Sequence, residues 1–209
     1  ARTEDNRWAL DWQHLGTITD SLRLVVDAEY VNERDYFAEY GEVVGEYNEQ
    51  KVVSNFFVTQ VWSKASLTGQ VKSIKDLEEH ETPPWQAVPS INFFVAPWRL
   101  ANSPVYVGLE TAYTDFRREQ GATGKRLMLR PTLGLHKLLF KGVEFDSEYS
   151  YRQRQYFNIG DGLNDSSGSS AIRARLTSRL FKVFGSERRS WLHSIEPEIN
   201  YTNTDANLG

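Results

Sequence analysis

Gly124-Lys-Arg-Leu-Met-Leu-Arg-Pro-Thr-Leu-Gly-Leu-His136 decides how the chain is read. Leu127, Leu129, Leu133 and Leu135 fall on one parity, and Arg126, Met128, Arg130 and Thr132 on the other. Successive side chains of a β-strand point to opposite sides, so this period of two puts leucines on one face and arginines on the other. Such a stretch is longer than the ~5–6 residues usual in soluble sheets. It is long enough for the ~9–11 residues that cross a bilayer at a tilt.

The same period recurs on both sides. Ten strands are expected, at about 7–15, 20–31, 50–61, 64–75, 88–96, 104–116, 124–136, 141–155, 170–182 and 190–203. The first places Trp8, Leu10 and Trp12 opposite Asp11 and Gln13, and the second Leu22, Leu24, Val26, Ala28 and Tyr30 opposite Arg23, Asp27 and Glu29. The third is apolar on both rows, and its phase stays open. Further on, Val143, Phe145, Tyr149 and Tyr151 oppose Glu144, Asp146, Glu148 and Arg152. Ile172, Ala174, Leu176 and Leu180 oppose Arg173, Arg175, Thr177 and Arg179; Trp191, Ile195, Ile199 and Tyr201 oppose Ser194, Glu196, Glu198 and Asn200. Pro89, Pro131 and Pro197 lie inside strand patterns; proline cannot donate to a ladder, so irregularities are expected there.

The connections alternate in length. Those at 16–19, 62–63, 97–103, 137–140 and 183–189 are short. Those at 32–49, 76–87, 117–123 and 156–169 are mostly longer, and the last runs into a Gly/Ser/Asp tract read as a flexible loop. Segment 35–49 is helical in composition in places but reads equally as a surface loop. Long loops on one side and short turns on the other is the outer-membrane arrangement, with the long loops outside. The first strand would then run inward, and the turn after it would be periplasmic. No linker divides the chain, so residues 1–209 read as a single incomplete barrel segment without a second domain.

Composition agrees. Aromatics make up 13% of 209 residues, with 6 Trp, 10 Tyr and 11 Phe, yet charged residues make up 25%. Large rings without continuous apolar runs suit an all-β, antiparallel transmembrane barrel, apolar toward lipid and polar toward a wet lumen. A net charge of −4 argues against a nucleic-acid binder and supplies no polybasic membrane patch. No run approaches the ~20 apolar residues of a transmembrane helix, and the first residues lack an apolar signal core. With no cysteine, the chain offers no disulfide, thiolate metal site or Cys nucleophile.

The candidate site is a charged row. Arg126 and Arg130, then Glu144, Asp146 and Glu148, then Arg173, Arg175 and Arg179, then Glu196 and Glu198, alternate in sign if sequence neighbours are sheet neighbours. They are expected to face the lumen, either handling an amphipathic or anionic cargo or simply neutralising one another across the strands. Trp8, Trp12, Trp62, Trp85, Trp98 and Trp191 fall mostly near strand ends, where indole favours the bilayer interface. His14, His80, His136 and His193 show no metal-ligand spacing, and His193-Ser194 lacks the third group of a hydrolase triad. Gly121-Ala-Thr-Gly-Lys125 is too short for a phosphate loop. Neither an enzyme nor a cofactor is expected.

Four stretches resemble one family. Arg7-Trp-Ala-Leu-Asp-Trp-Gln-His-Leu-Gly16 looks like an early barrel strand of the LptD family of lipopolysaccharide-assembly (organic-solvent-tolerance) proteins. Asp27 to Phe37 resembles its strand end running into a loop with an Asp-x-x-Tyr-Phe-like close, Arg126 to Leu133 its Arg-x-x-x-x-Pro strand, and Ile195-Glu-Pro-Glu-Ile-Asn-Tyr201 its Leu-Glu-Pro-x-x-x-Tyr strand. The resemblance implies a very large barrel with a periplasmic jellyroll, plugged by an LptE-like lipoprotein. That barrel would receive lipopolysaccharide from periplasmic bridge proteins and release it among the lipids of the bacterial outer membrane. The jellyroll, the family's cysteines and an aromatic-terminated last strand are not seen, so a front-middle portion of the wall is expected and no gate residue carries over. A porin-like channel is the alternative reading. Less favoured are a soluble β binding module, which would partition into buffer, and a barrel lipase, which would need His193.

Overall fold

The computed structural model describes residues 7–33, 35–40, 51–77, 84–118, 121–140, 142–160, 162–186 and 189–208. They form twelve strands and one short helix: β1 Ala9–Thr19, β2 Leu22–Val31, α1 Tyr36–Tyr40, β3 Lys51–Val61, β4 Ala65–Asp76, β5 Gln86–Arg99, β6 Val105–Arg117, β7 Gly124–Phe140, β8 Val143–Ile159, β9 Leu163–Ser178, β10 Leu180–Ser186, β11 Arg189–Ile195 and β12 Glu198–Leu208. A ten-stranded sheet runs β1-β2-β3-β4-β5-β6-β7-β8-β9-β12, and β10 and β11 form a two-stranded sheet. The expected antiparallel, all-β order is therefore present. No described helix is long and apolar enough to cross a membrane, which says nothing about strands.

Several boundaries differ from the sequence reading, in most cases because the strands are longer. Residues 16–19 were expected to be a turn, but β1 continues through Gly16, which pairs with Leu24, and turns at 20–21. Residues 137–140 likewise belong to β7. The tract at 156–169 is not a long loop. β8 runs to Ile159, the connection is 160–162, and β9 begins at Leu163. Gly160 (φ 56°) and Gly162 (φ 87°) supply the left-handed conformations of that tight turn, and Ser166–Ser170 continue as strand because small polar residues fit either face. The last two expected strands are each divided. β9 pairs with β12 and β10 with β11, in the same register on both sides of an interruption at Arg179 and Glu196-Pro197. Pro197 has no N–H to offer the ladder, although its carbonyl still accepts from Ser178 N at 3.1 Å. Pro131, by contrast, sits within an unbroken β7, and Pro89 within β5 after a cis peptide bond. Of segment 35–49, Tyr36–Tyr40 is helical, and residues 41–49 lie outside the described ones.

The chain's contacts cluster into two units. The first comprises residues 1–94, 111–128 and 155–165. Its strand registers settle the phase of β3. Phe56 pairs with Val26 and Val71, and Val58 with Leu24 and Gly69, so these join the apolar row of Trp12 and Ala28. Asn55 and Thr59 pair with Lys72 and Thr68 on the polar row, where Phe57 is an exception. Thr59 and Thr68 hydroxyls meet at 3.0 Å and Gln70 Nε2 donates to Asn55 Oδ1 at 2.7 Å, giving that row side-chain hydrogen bonds across the strands. At the end near α1, Val31 and Val52 are fully buried, Lys75 Nζ donates to the Val31 carbonyl at 2.5 Å, and Arg7 binds Asp35 and Glu39.

The second unit comprises residues 95–110, 129–154 and 166–209. Tyr106 lies across Gly134 so closely that a β-carbon there would fall 1.9 Å from the ring, and its hydroxyl donates to the Ser147 carbonyl at 3.4 Å. Glycine at 134 is thus what lets the ring lie flat on β7.

Candidate functional site: the charged row

In β7 the exposure alternates residue by residue from Gly124 to Leu133. Leu127, Leu129 and Leu133 are 39%, 45% and 51% exposed, while Arg126, Met128, Arg130 and Thr132 between them are partly covered. From Arg126 to Leu133 the leucines therefore stand outward and the arginines are the sheltered set, the reverse of a water-soluble sheet, while Lys125 at the start of the strand is exposed.

The row's charges are met across strands. Arg130 pairs with Glu110 of β6 at 3.3 Å. Arg173 reaches Glu148 at 3.7 Å and Arg175 reaches Asp146 at 3.6 Å, both linking β9 to β8. Arg179 Nε donates to Glu196 at 2.8 Å, bridging the interruption of the β9–β12 ladder. His136 Nδ1 donates to Asp146 Oδ1 at 2.6 Å. Glu198 accepts from Asn200. Glu144 lines a cavity of about 510 Å³ with Arg175, Arg179, Glu196 and Glu198. A second cavity, about 330 Å³, shares Arg175 and adds Tyr106, Asp146, Glu148 and Arg173. Eight of the ten residues singled out in the sequence thus gather around two neighbouring cavities in one unit. Arg130 is paired elsewhere in that unit, and Arg126 belongs to the other unit, its guanidinium 5.0 Å over the Phe116 ring.

Sequence reasoning missed three participants. His136 and Tyr106 share the parity of the charged rows, and that parity was the available signal. Glu110 alternates with Leu109 and Val107 in β6, which marks it as polar-facing, but only the register between β6 and β7 brings it to Arg130. Among the described residues, the Nε atoms of Arg130 and Arg152 are buried without a hydrogen-bond partner. His193 and Ser194 are consecutive in β11 and so point to opposite faces, and Ser194 Oγ turns toward Glu196 at 3.5 Å. His80 lies outside the described residues. Of the tryptophans, Trp8, Trp12, Trp62 and Trp191 are about half exposed or more, while Trp85 packs edge-on against Phe116 at 6.1 Å.

Long antiparallel strands laid side by side in a ten-stranded sheet, with the leucine row of β7 exposed and its arginine row sheltered, are the pattern of part of a β-barrel of the outer-membrane type. The family model described as LPS transport system D matches residues 5–207, and the chain belongs to that family, LptD. It is similar to proteins named LPS-assembly protein LptD from Shewanella sp. (strain MR-4), 24% identical over 205 residues, and from Shewanella frigidimarina, 26% over 207 residues. A third such relative, from Neisseria meningitidis serogroup B (strain MC58), is 22% identical over 225 residues. Each alignment covers 94% of this chain, which spans only about a quarter of the length of these relatives (25–26%).

Proposed function

We propose that the chain forms part of the wall of an outer-membrane barrel that delivers lipopolysaccharide to the outer leaflet. The protein acts by enclosing and guiding its cargo and makes or breaks no bond. The polar row faces a wet lumen, the leucine row faces lipid, and the longer connections lie outside. In this reading the charged cavities of the second unit line the passage for the saccharide. An LptE-like lipoprotein occupies the lumen, and periplasmic bridge proteins supply the cargo. The observation that carries the reading is the inverted exposure of β7, joined to the family membership.

The test is depletion of the full-length protein in its own cells, complemented by wild type or by Arg173→Glu/Arg175→Glu. Newly made lipopolysaccharide reaching the surface should fall on depletion, recover with wild type and recover poorly with the charge-reversed variant. A porin-like channel would instead show unchanged surface lipopolysaccharide and reduced uptake of small solutes, and that result would sink the proposal.

A further inference from the structure

The alternation that marks the wall breaks down in β10–β11. This two-stranded ribbon keeps the register of β9–β12, so its side chains continue the two rows of that ladder. On the apolar row, Leu176 and Ile199 are followed by Leu180, Ile195, Phe184 and Trp191, all exposed. On the charged row, the Arg179–Glu196 ion pair is followed by Phe181 and Ser194, then by Val183 and Leu192. Phe181, Val183 and Leu192 are 70%, 61% and 64% exposed, so apolar side chains stand free on both faces of the ribbon. The ribbon also overshoots its neighbours. Arg179 N donates to the Gly142 carbonyl in the β7–β8 connection at 3.0 Å, so that hairpin ends where the ribbon begins. The seven residues of β10 carry on for ~23 Å beyond it, roughly twice the stagger that a ~45° strand tilt gives successive hairpins. The end of β7 at the same level loses its polar row too. After His136 come Leu138 and Phe140 on the charged parity and Leu139 on the other, all exposed.

We infer that β10–β11 is a membrane-interface ribbon, which departs from the wall at Arg179 and Glu196-Pro197 and lies among the phospholipids of the inner leaflet. A ribbon with no polar face needs either protein or lipid around it. Continuity selects lipid, because Leu180, Phe184, Trp191 and Ile195 prolong the row that the wall turns outward. Composition points the same way. Aromatic rings beside cationic side chains suit the headgroup level. Phe184 and Trp191 lie 5.7 Å apart, and Lys182 Nζ stands 5.0 Å over Phe184. From Leu180 to Ile195 the sequence carries Lys182, Arg188 and Arg189 against one acid, Glu187, a balance that matches phosphate headgroups. The free edge sets the depth. Among the described residues β10 has no strand neighbour but β11, and hydrocarbon does not tolerate unpaired N–H and C=O groups, so the ribbon lies at the hydrated boundary. The ladder is already interrupted at Arg179 and Glu196-Pro197, where proline withholds an N–H, so a bend there breaks few strand hydrogen bonds. The leaflet rests on the barrel orientation proposed above; the two apolar faces do not.

The test places a photoactivatable benzophenone amino acid, one position at a time, in the full-length protein in its own cells and identifies the adducts by mass after illumination. Leu176 on the apolar row of the wall and Arg175 on its charged row serve as references, and heat-modifiable migration reports that each variant is folded. Probes at Trp191 and at Leu192, on opposite faces of the ribbon, should both capture phosphatidylethanolamine or phosphatidylglycerol, at several times the phospholipid yield of Arg175. Phe184→Ser/Trp191→Ser should lower the capture at Leu192 several-fold and leave that at Leu176 unchanged. Capture of a protein at Leu192, or of lipopolysaccharide in place of phospholipid, would overturn the inference, and so would capture of nothing from the ribbon. Lipid at Leu176 with none at Trp191 and Leu192 removes the ribbon from the membrane and leaves the wall reading standing. No lipid of either kind at Leu176 would bring down both.

Discussion

Two single residues carry expectations that follow from their immediate neighbours. Gly134 is covered by the Tyr106 ring, so Gly134→Ala forces ring or strand to move. Overpacking of this kind costs about 1–3 kcal/mol. Urea unfolding of the full-length protein in micelles should show that loss, and Gly134→Ala combined with Tyr106→Ala should lose less than the two single changes summed. Additive losses would mean that the ring is not what excludes a side chain at 134. Asp146 serves two partners unequally. The His136 contact at 2.6 Å is short and direct, whereas Arg175 lies at 3.6 Å with its side chain 53% exposed. Asp146→Asn should therefore cost about 1 kcal/mol, mostly through His136. In the Asp146→Asn background, His136→Ala should cost little more, and a full additional loss in the same unfolding assay would contradict this division.

At the scale of the strand, parity decides tolerance. Leu129 stands on the exposed row of β7 and Thr132 on the covered one. On a lipid-facing row, arginine costs about 2–4 kcal/mol near the bilayer midplane and far less toward the interfaces. Leu129→Arg should lower the yield of folded, heat-modifiable protein in the outer membrane, and Thr132→Arg, three residues away, should be tolerated. Equal tolerance of both would remove the lipid-facing assignment of the leucines. Strand existence and parity were legible because period two is written directly in side-chain polarity. Strand ends were less so. Gly16, Gly168 and the serines of β9 carry no polarity signal, and ladder hydrogen bonds extend the strands through residues whose composition suggests turns. The division at Pro197 was visible as a missing donor, but the same chemistry at Pro131 left β7 whole. Proline's cost depends on whether the partner strand needs that N–H, which one strand alone cannot reveal.

Across the sheet as a whole, the strand order begins at β1 and ends at β12, and among the described residues each of these has one neighbour in it. An unpaired edge is a template for association. The 209-residue chain refolded by itself in micelles should therefore form multimers in light scattering, and a monodisperse monomer with resistance to heat would mean that it closes alone. From the sequence by itself came the all-β class, the two faces of most strands, the charged residues and the family resemblance, because each is a property of side-chain type and spacing along a single strand. Only the tertiary structure decided the phase of β3, the pairing of Arg130 with Glu110, the seat of Tyr106 on Gly134 and the packing of Trp85 against Phe116. Those depend on register between strands far apart in the chain, and register is set by pairing energies that no single strand contains.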